Sequence, residues 1–199
     1  MKHLVFHLRR TRIRIHPLTL PCLAALFIAD SSVYTVLVLL AAVLHEAGHL
    51  TALLLCGIIP DAVEICPFGA VIEAGTASLP TARELFVLLA GIGVNTLLAA
   101  ICLPAGYVTR MLPLLFFGAA NAVLAAVNLC PVHTLDGGRA CDAILFACLP
   151  PDRAQPLSDV ISDLALLLLS VLSVRLFAVS ACNFSLLIFC IALFISLCG

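Results

Sequence analysis

The feature that most constrains this chain is a series of apolar runs, each close to the length that crosses a membrane. The run over residues 33–59 carries only one acidic residue and two histidines, Glu46, His45 and His49. A membrane-spanning helix needs about 20 apolar residues. Composition agrees, because 63% of the 199 residues are hydrophobic and 11% are charged, against about 25% charged in a typical soluble domain. We therefore exclude a soluble enzyme, a disordered tail and a nucleic-acid binder, and predict an integral membrane protein.

The predicted fold is all-α, with about six transmembrane helices and one small β-hairpin after the second helix. Two β-prone stretches, 62–66 and 70–74, flank a Pro-Phe-Gly turn and predict this hairpin, in the cytoplasm or inserted in the membrane. Pro104 begins a predicted loop that ends the third helix. The apolar runs cover residues 17–29, 33–59, 81–103, 112–129, 158–177 and 183–198.

The predicted organisation has three parts. Residues 1–16 form a basic cytoplasmic arm, residues 17–140 form a core of four spans, and residues 141–199 form a linker with two C-terminal spans. Five of the ten Lys and Arg residues lie in the first 14 positions. By the positive-inside rule they keep the N-terminus in the cytoplasm. Six spans place the hairpin and the 130–157 segment on that same side.

Chemistry is concentrated in His45-Glu46-Ala47-Gly48-His49, which matches H-E-x-x-H. Residues i and i+4 lie on one face of a helix, so the two imidazoles can bind one Zn²⁺ ion. Glu46 lies about 100° round the helix, where it can act as a general base without being a ligand. A carboxylate at the centre of an apolar helix costs about 2.5–3.5 kcal/mol. We therefore interpret the motif as functional rather than as helix packing.

A catalytic zinc ion usually has three protein ligands and one open position. Asp136 is the preferred third ligand, because it follows a span, precedes two glycines and lies on the same predicted side as the end of the second span. His133 competes with it on ligand chemistry alone. The candidates for the third ligand are Glu64, Glu73, His133 and Asp136.

The two motifs together resemble those of the site-2 protease family of intramembrane zinc metalloproteases. That family pairs H-E-x-x-H with an N-x-x-P-x-x-P-L-D-G-G segment, and here the second segment runs from Asn128 to Arg139 as Asn-Leu-Cys-Pro-Val-His-Thr-Leu-Asp-Gly-Gly-Arg. The resemblance implies that the two histidines of the first motif and Asp136 bind one catalytic zinc ion. It also implies that Glu46 activates the water that attacks a peptide bond, and that residues 17–140 are the catalytic core.

Within that family the chain is most similar to the stage IV sporulation protein FB group, through Ile15-His16-Pro17 before the first span and Pro67-Phe68-Gly69 in the hairpin. This implies regulated cleavage of a membrane-associated sigma-factor precursor. Cleavage of anti-sigma factors or signal-peptide remnants, and a family member that binds without cutting, are the alternatives.

Two asparagines are candidates for binding the substrate or its oxyanion. Asn95 lies inside the third apolar run and Asn128 ends the fourth. Their alternative role is hydrogen bonding between helices, which such side chains often provide in membranes.

Several departures from the family pattern bear on this interpretation. Residues 90–95 read Ala-Gly-Ile-Gly-Val-Asn and lack the proline of A-G-P-x-x-N. Thr134 replaces the proline before L-D-G-G, and His133 stands where an apolar residue is usual. We expect no CBS domain after the sixth predicted span, and therefore no regulation by nucleotide through such a domain.

The expected partner is a membrane-associated protein substrate. Membrane inhibitors or regulatory proteins and a second copy of the chain are further candidates. Direct nucleic-acid binding is not expected, because the net charge is -1. The expected location is the bacterial cytoplasmic or forespore membrane, with the active site toward the cytoplasm.

Overall fold

The computed structural model describes residues 4–8, 11–17, 19–66, 69–73 and 80–179. The predicted sixth span, 183–198, lies outside these residues. Helices dominate the described chain, which divides into two compact units, Met1–Ala125 and Ala126–Gly199. The elements in chain order are β1 (Leu4–Leu8), β2 (Thr11–Ile15), α1 (Thr19–Ala29), α2 (Val33–Leu55), β3 (Ala62–Cys66), β4 (Gly69–Glu73), α3 (Thr81–Thr109), α4 (Leu112–Asn128), α5 (Asp136–Cys148) and α6 (Pro151–Val179).

Three described helices are long and apolar enough to cross a membrane: α2, α3 and the Pro151–Arg175 part of α6. Apolar segments of α1 and α4 are shorter. Large apolar side chains such as Leu97 and Leu168 are exposed on the candidate spans. Such surface is costly in water and suits contact with lipid. Three candidate spans support a membrane protein, and the six-span arrangement stays a prediction.

The strands form one four-stranded sheet in the order β1-β2-β3-β4. The predicted hairpin is present, because β3 pairs antiparallel with β4 from Ala62↔Glu73 to Cys66↔Gly69. The N-terminal arm also contributes two strands, which sequence analysis did not assign. β1 pairs antiparallel with β2, and β2 pairs parallel with β3, with Arg14 opposite Glu64. A parallel pair needs a long crossover, which α1 and α2 provide.

The first unit is held by close packing of α2 and α3 and by a small apolar cluster. Ala41, Cys102 and Phe117 form the buried centre of that cluster. Gly48 of α2 faces α3 so closely that an added Cβ would lie 3.0 Å from the Ala90 carbonyl oxygen. Small residues of this kind let membrane helices approach each other.

The predicted loop at Pro104 is wrong, because α3 continues through Pro104 to Thr109. Proline removes one backbone donor but is tolerated in membrane helices, where neighbouring groups satisfy the freed carbonyl. The helix ends instead at Arg110, whose φ of 58° places it in the left-handed region. The backbone N–H of Arg110, the C-cap residue, donates a hydrogen bond to the Gly106 carbonyl oxygen.

In the second unit, α5 packs against α6, and the loop that connects α4 to α5 also packs against α6. Val132 and Leu135 of that loop are buried with Leu166 and Leu169 of α6. Helix α5 begins at Asp136 and lies between the predicted fourth and fifth spans, where sequence patterns assigned no span. Helix α6 begins at Pro151, earlier than the predicted start near residue 158. Proline suits the first position of a helix, where its missing N–H is not needed.

Candidate metal centre

His45 and His49 lie one turn apart on the buried face of α2, with 5% and 7% of their surfaces exposed. Their Nε2 atoms are 3.2 Å apart, and their ring planes meet at 82°. The two histidines of the H-E-x-x-H motif therefore each direct the Nε2 atom toward the other ring. Two imidazole nitrogens that converge in this way are the arrangement that two ligands of one metal ion require.

A backbone contact fixes the tautomer of His49. Its Nδ1 atom lies 2.8 Å from the carbonyl oxygen of Val87 on α3. A carbonyl oxygen only accepts, so Nδ1 carries the proton and donates it. In a neutral imidazole the lone pair is then on Nε2, the atom that faces His45. Metal-ligating histidines are commonly oriented by such a second hydrogen bond.

Gly91 of α3 gives the two imidazoles the space they occupy. An added Cβ at this position would overlap Nε2 of His49 and would lie 2.8 Å from Cε1 of His45. Val87 and Gly91 are four residues apart and share one face of α3. Helix α3 thus presents a hydrogen-bonding carbonyl and a gap to the histidine pair. Sequence analysis did not predict either role, although a glycine inside an apolar helix indicates close approach.

Asp136 is the first residue of α5, and extended backbone at Leu135 (φ −102°, ψ 160°) leads into it. The two following glycines allow the preceding loop to lie directly on the first turn of the helix. An added Cβ at Gly137 would overlap the Leu129 carbonyl, and one at Gly138 would overlap the Val132 carbonyl. The Gly-Gly pair therefore fixes how the chain enters Asp136.

The described residues contain a group of three side chains that could hold a metal ion. His45, His49 and Asp136 each offer one ligand atom, and these atoms all lie within 4.8 Å of one another. Two imidazole nitrogens and one carboxylate oxygen match the donors of catalytic zinc sites, which keep a fourth position open. The donor chemistry and the fixed tautomer of His49 both fit a zinc ion.

The alternative ligand His133 has other contacts. Its Nδ1 atom lies 3.0 Å from Oδ2 of Asp142, and its Nε2 atom lies 3.3 Å from Oδ1 of Asp159. Both ring nitrogens therefore face carboxylates, which disfavours His133 as a metal ligand. Glu64 and Glu73 lie in β3 and β4.

The remaining predicted site residues lie on three helices. Glu46 follows His45 on α2 and is half-buried, and Asn128 is the last residue of α4 and is also half-buried. Asn95 lies one turn beyond Gly91 on α3 and is fully buried. Among the described residues, neither polar atom of its side-chain amide has a hydrogen-bond partner. A buried amide in this state costs free energy and is therefore a candidate for binding a ligand.

The fold of the chain is similar to that of a solved structure, the Site-2 Protease from Methanocaldococcus jannaschii, with a TM-score of 0.67. The alignment covers 98% of this chain and 93% of the other, at 21% sequence identity. No protein-family profile matches the sequence, and no curated relative is found. The likeness therefore shows a site-2 protease fold.

Proposed function

We propose that this protein is an intramembrane zinc metalloprotease that hydrolyses a peptide bond in a membrane-associated substrate. The observation that carries the proposal is the buried His45–His49 pair on a candidate membrane-spanning helix, grouped with Asp136. The similarity of the fold to a site-2 protease supports the same activity. A hydrolytic site inside an apolar helix bundle suits a polypeptide substrate that lies within or beside the membrane.

His45, His49 and Asp136 are the side chains that would hold zinc. The bound ion would supply Lewis acidity, which makes water nucleophilic near neutral pH and polarises the scissile carbonyl. The contribution of the protein is to orient the donors in advance. The Val87 carbonyl holds the His49 ring, while Gly91 leaves room for both imidazoles.

Glu46 is the proposed general base. Its carboxylate takes a proton from the attacking water and later gives it to the amine of the leaving peptide. Its place beside His45 on α2 puts the carboxylate in the same helical turn as the histidine pair. The half-buried environment of Glu46 limits competition from bulk water at this proton-transfer step.

The substrate must expose its backbone before it can be cut, because a helix in lipid hides its carbonyls in internal hydrogen bonds. Among the described residues, strand β4 lies at the edge of the sheet and pairs only with β3. We propose that an extended substrate segment adds to this edge, a recurrent mode of peptide binding. Asn95 and Asn128 are the candidate donors to the substrate backbone or to the oxyanion.

The most specific substrate we propose is a sporulation sigma-factor precursor, on the sequence resemblance alone. An anti-sigma factor or a signal-peptide remnant would use the same chemistry. The proposed site faces the cytoplasm of a bacterial cytoplasmic or forespore membrane, in line with the basic N-terminus. Regulatory membrane proteins and a second copy of the chain are proposed partners. A family member that binds without cutting is the second candidate function.

Co-expression with candidate membrane-bound substrates tests the proposal. The wild type is expected to yield a shorter product, and Glu46→Gln is expected to yield none while it remains folded. Glu84→Gln is the matched control, because Glu84 is exposed in the first turn of α3 and should cut as the wild type does. Full cleavage by Glu46→Gln would refute the assignment of Glu46 as the base. Cleavage by neither the wild type nor the control, with zinc bound, would favour the non-cutting function.

A further inference from the structure

A connected set of polar contacts in the second unit lies outside the proposed ligand set. It begins in the loop of residues 129–135, which packs onto the first turn of α5. The Leu135 N–H donates to the Val132 carbonyl at 2.8 Å. An added Cβ at Gly138 would overlap that same Val132 carbonyl. The loop therefore packs directly against the turn that carries Asp136, so a group that fixes the position of the loop also fixes the position of Asp136.

His133 connects this loop to both α5 and α6. Its backbone N–H donates to Oγ of Ser162 on α6 at 3.1 Å. Its ring reaches Asp142 on α5 through Nδ1 at 3.0 Å and Asp159 on α6 through Nε2 at 3.3 Å. One residue of the loop thus contacts two helices through three separate polar groups.

Two carboxylates lie beside the ring. The Nδ1 atom forms a hydrogen bond with Asp142, and the Nε2 atom lies at ion-pair distance from Asp159. Each carboxylate also accepts a hydrogen bond from a neighbouring side chain. Asp142 accepts from the Ser158 hydroxyl, and Asp159 accepts from Nε2 of Gln155 at 2.9 Å. Such charge-assisted hydrogen bonds are roughly twice as strong as neutral ones.

Few other charges compete at this position. Arg139 on α5 and Asp163 on α6 are exposed, and the interior side of the loop is apolar, formed by Val132 and Leu135 against α6. Within the described residues, Asp142 and Asp159 are therefore the charged groups that face the His133 ring from the two helices packed against it.

We propose that His133 is a positioning residue for Asp136: its backbone N–H and its ring fix the loop to α5 and α6 and so set the carboxylate for zinc. This inference rests on the proposed function, because it takes Asp136 as a zinc ligand. When either carboxylate contact is removed, the loop is held less firmly and the zinc affinity of the site falls.

The test is the dissociation constant of zinc in the full-length, detergent-purified protein, measured by chelator competition, together with the melting temperature of the zinc-free protein. The variants are Asp159→Asn and His133→Gln, and the matched control is Asp163→Asn, one turn further along α6. Asp159 is 53% exposed at its side chain, so its replacement by asparagine is mild. We expect both test variants to bind zinc about tenfold more weakly, a loss typical of groups that orient metal ligands.

The melting temperature of the zinc-free protein separates positioning from a general packing role. Asp159→Asn should bind zinc more weakly than Asp163→Asn, while the two zinc-free variants melt at the same temperature. Equal zinc affinity in these two variants, or a weaker affinity that comes with a lower melting temperature, would overturn the inference while leaving the zinc site in place. A wild type that binds no zinc would instead overturn the proposed function.

Discussion

Gly91 on α3 lies against the imidazole of His49 on α2, so closely that a single added methyl group would overlap the Nε2 atom. One turn earlier, the Val87 carbonyl accepts the Nδ1 proton of the same ring. Helix α3 therefore controls both the tautomer of His49 and the space around its Nε2 atom, although it contributes no zinc ligand in our proposal.

Replacing Gly91 by alanine should displace the histidine pair. We expect Gly91→Ala to lower the zinc content of the purified protein strongly, because the new methyl group occupies the space of the two rings. Gly93→Ala is the matched control, since an added Cβ at Gly93 meets no other atom within 4 Å. The control should keep its zinc and gain up to about 1 kcal/mol of helix stability. Equal zinc content in both variants would contradict the close approach of α3.

Removing the carboxylate of Asp136 should weaken zinc binding more than removal of an orienting group does. We expect Asp136→Ala to raise the zinc dissociation constant by about two orders of magnitude or more, beyond the 10–100-fold loss that is typical when a group that orients a metal ligand is removed. Asp152→Asn, in the exposed first turn of α6, is the control and should bind zinc normally. An unchanged affinity in Asp136→Ala would return His133 to consideration as the third ligand.

The buried amide of Asn95 makes a separable prediction for stability and activity. Neither of its polar atoms is paired among the described residues. Asn95→Leu should therefore raise the free energy of unfolding by about 1–3 kcal/mol, which is observed as a higher melting temperature. Proteolysis should fall in the same variant if the amide binds substrate. Asn121→Leu is the comparison. This variant also removes the hydrogen bond from Nδ2 to the Phe117 carbonyl at 2.8 Å, so its free energy of unfolding should rise less than that of Asn95→Leu. Full activity in Asn95→Leu would exclude a substrate role.

Much of the helical layout could be predicted from sequence, because long apolar runs and the H-E-x-x-H spacing are local signals. The N-terminal strands were missed although Thr11-Arg12-Ile13-Arg14-Ile15 alternates with the period of a strand. Its positive charge favoured a solvated arm, whereas its pairing with β3 depends on residues some 50 positions away. The loop predicted at Pro104 failed because tertiary packing overrides a local helix breaker.

The candidate site was predictable only in its residue types. The spacing of His45 and His49 predicts one helical face, but the contact of His49 with the Val87 carbonyl depends on how α2 packs against α3. The glycine at position 91 was noted in the sequence without its role against the imidazoles. His133 was judged on ligand chemistry alone, since no local pattern indicates its contacts with Asp142 and Asp159.

A pH-dependent contribution to stability is expected at the start of α2. The hydroxyl of Thr35, then the backbone N–H and hydroxyl of Ser32, hold the pKa of Asp30 below its ordinary value of 3.8. Since the folded pKa is the lower one, this carboxylate stabilises the fold at neutral pH, and the contribution is lost as pH falls through that pKa. Thr35→Val should reduce the acid-dependent fall in melting temperature between about pH 5 and pH 2.

The control for this prediction is Thr51→Val. The Thr51 hydroxyl donates to the Ala47 carbonyl of its own helix at 2.7 Å and involves no carboxylate. Its melting temperature should fall with acid as the wild type does. Identical acid profiles for Thr35→Val and the wild type would show that the hydrogen bond at Asp30 contributes no measurable stability.

The most direct test of the central claim is the zinc content of the purified full-length protein, measured by atomic absorption beside Glu46→Gln and a His45→Ala, His49→Ala double variant. We expect about one zinc per chain in the wild type, an equal amount in the inactive Glu46→Gln variant, and almost none in the double variant. A wild type without zinc, or a double variant that keeps its full zinc content, would contradict the assignment of His45 and His49 as ligands of a catalytic metal ion.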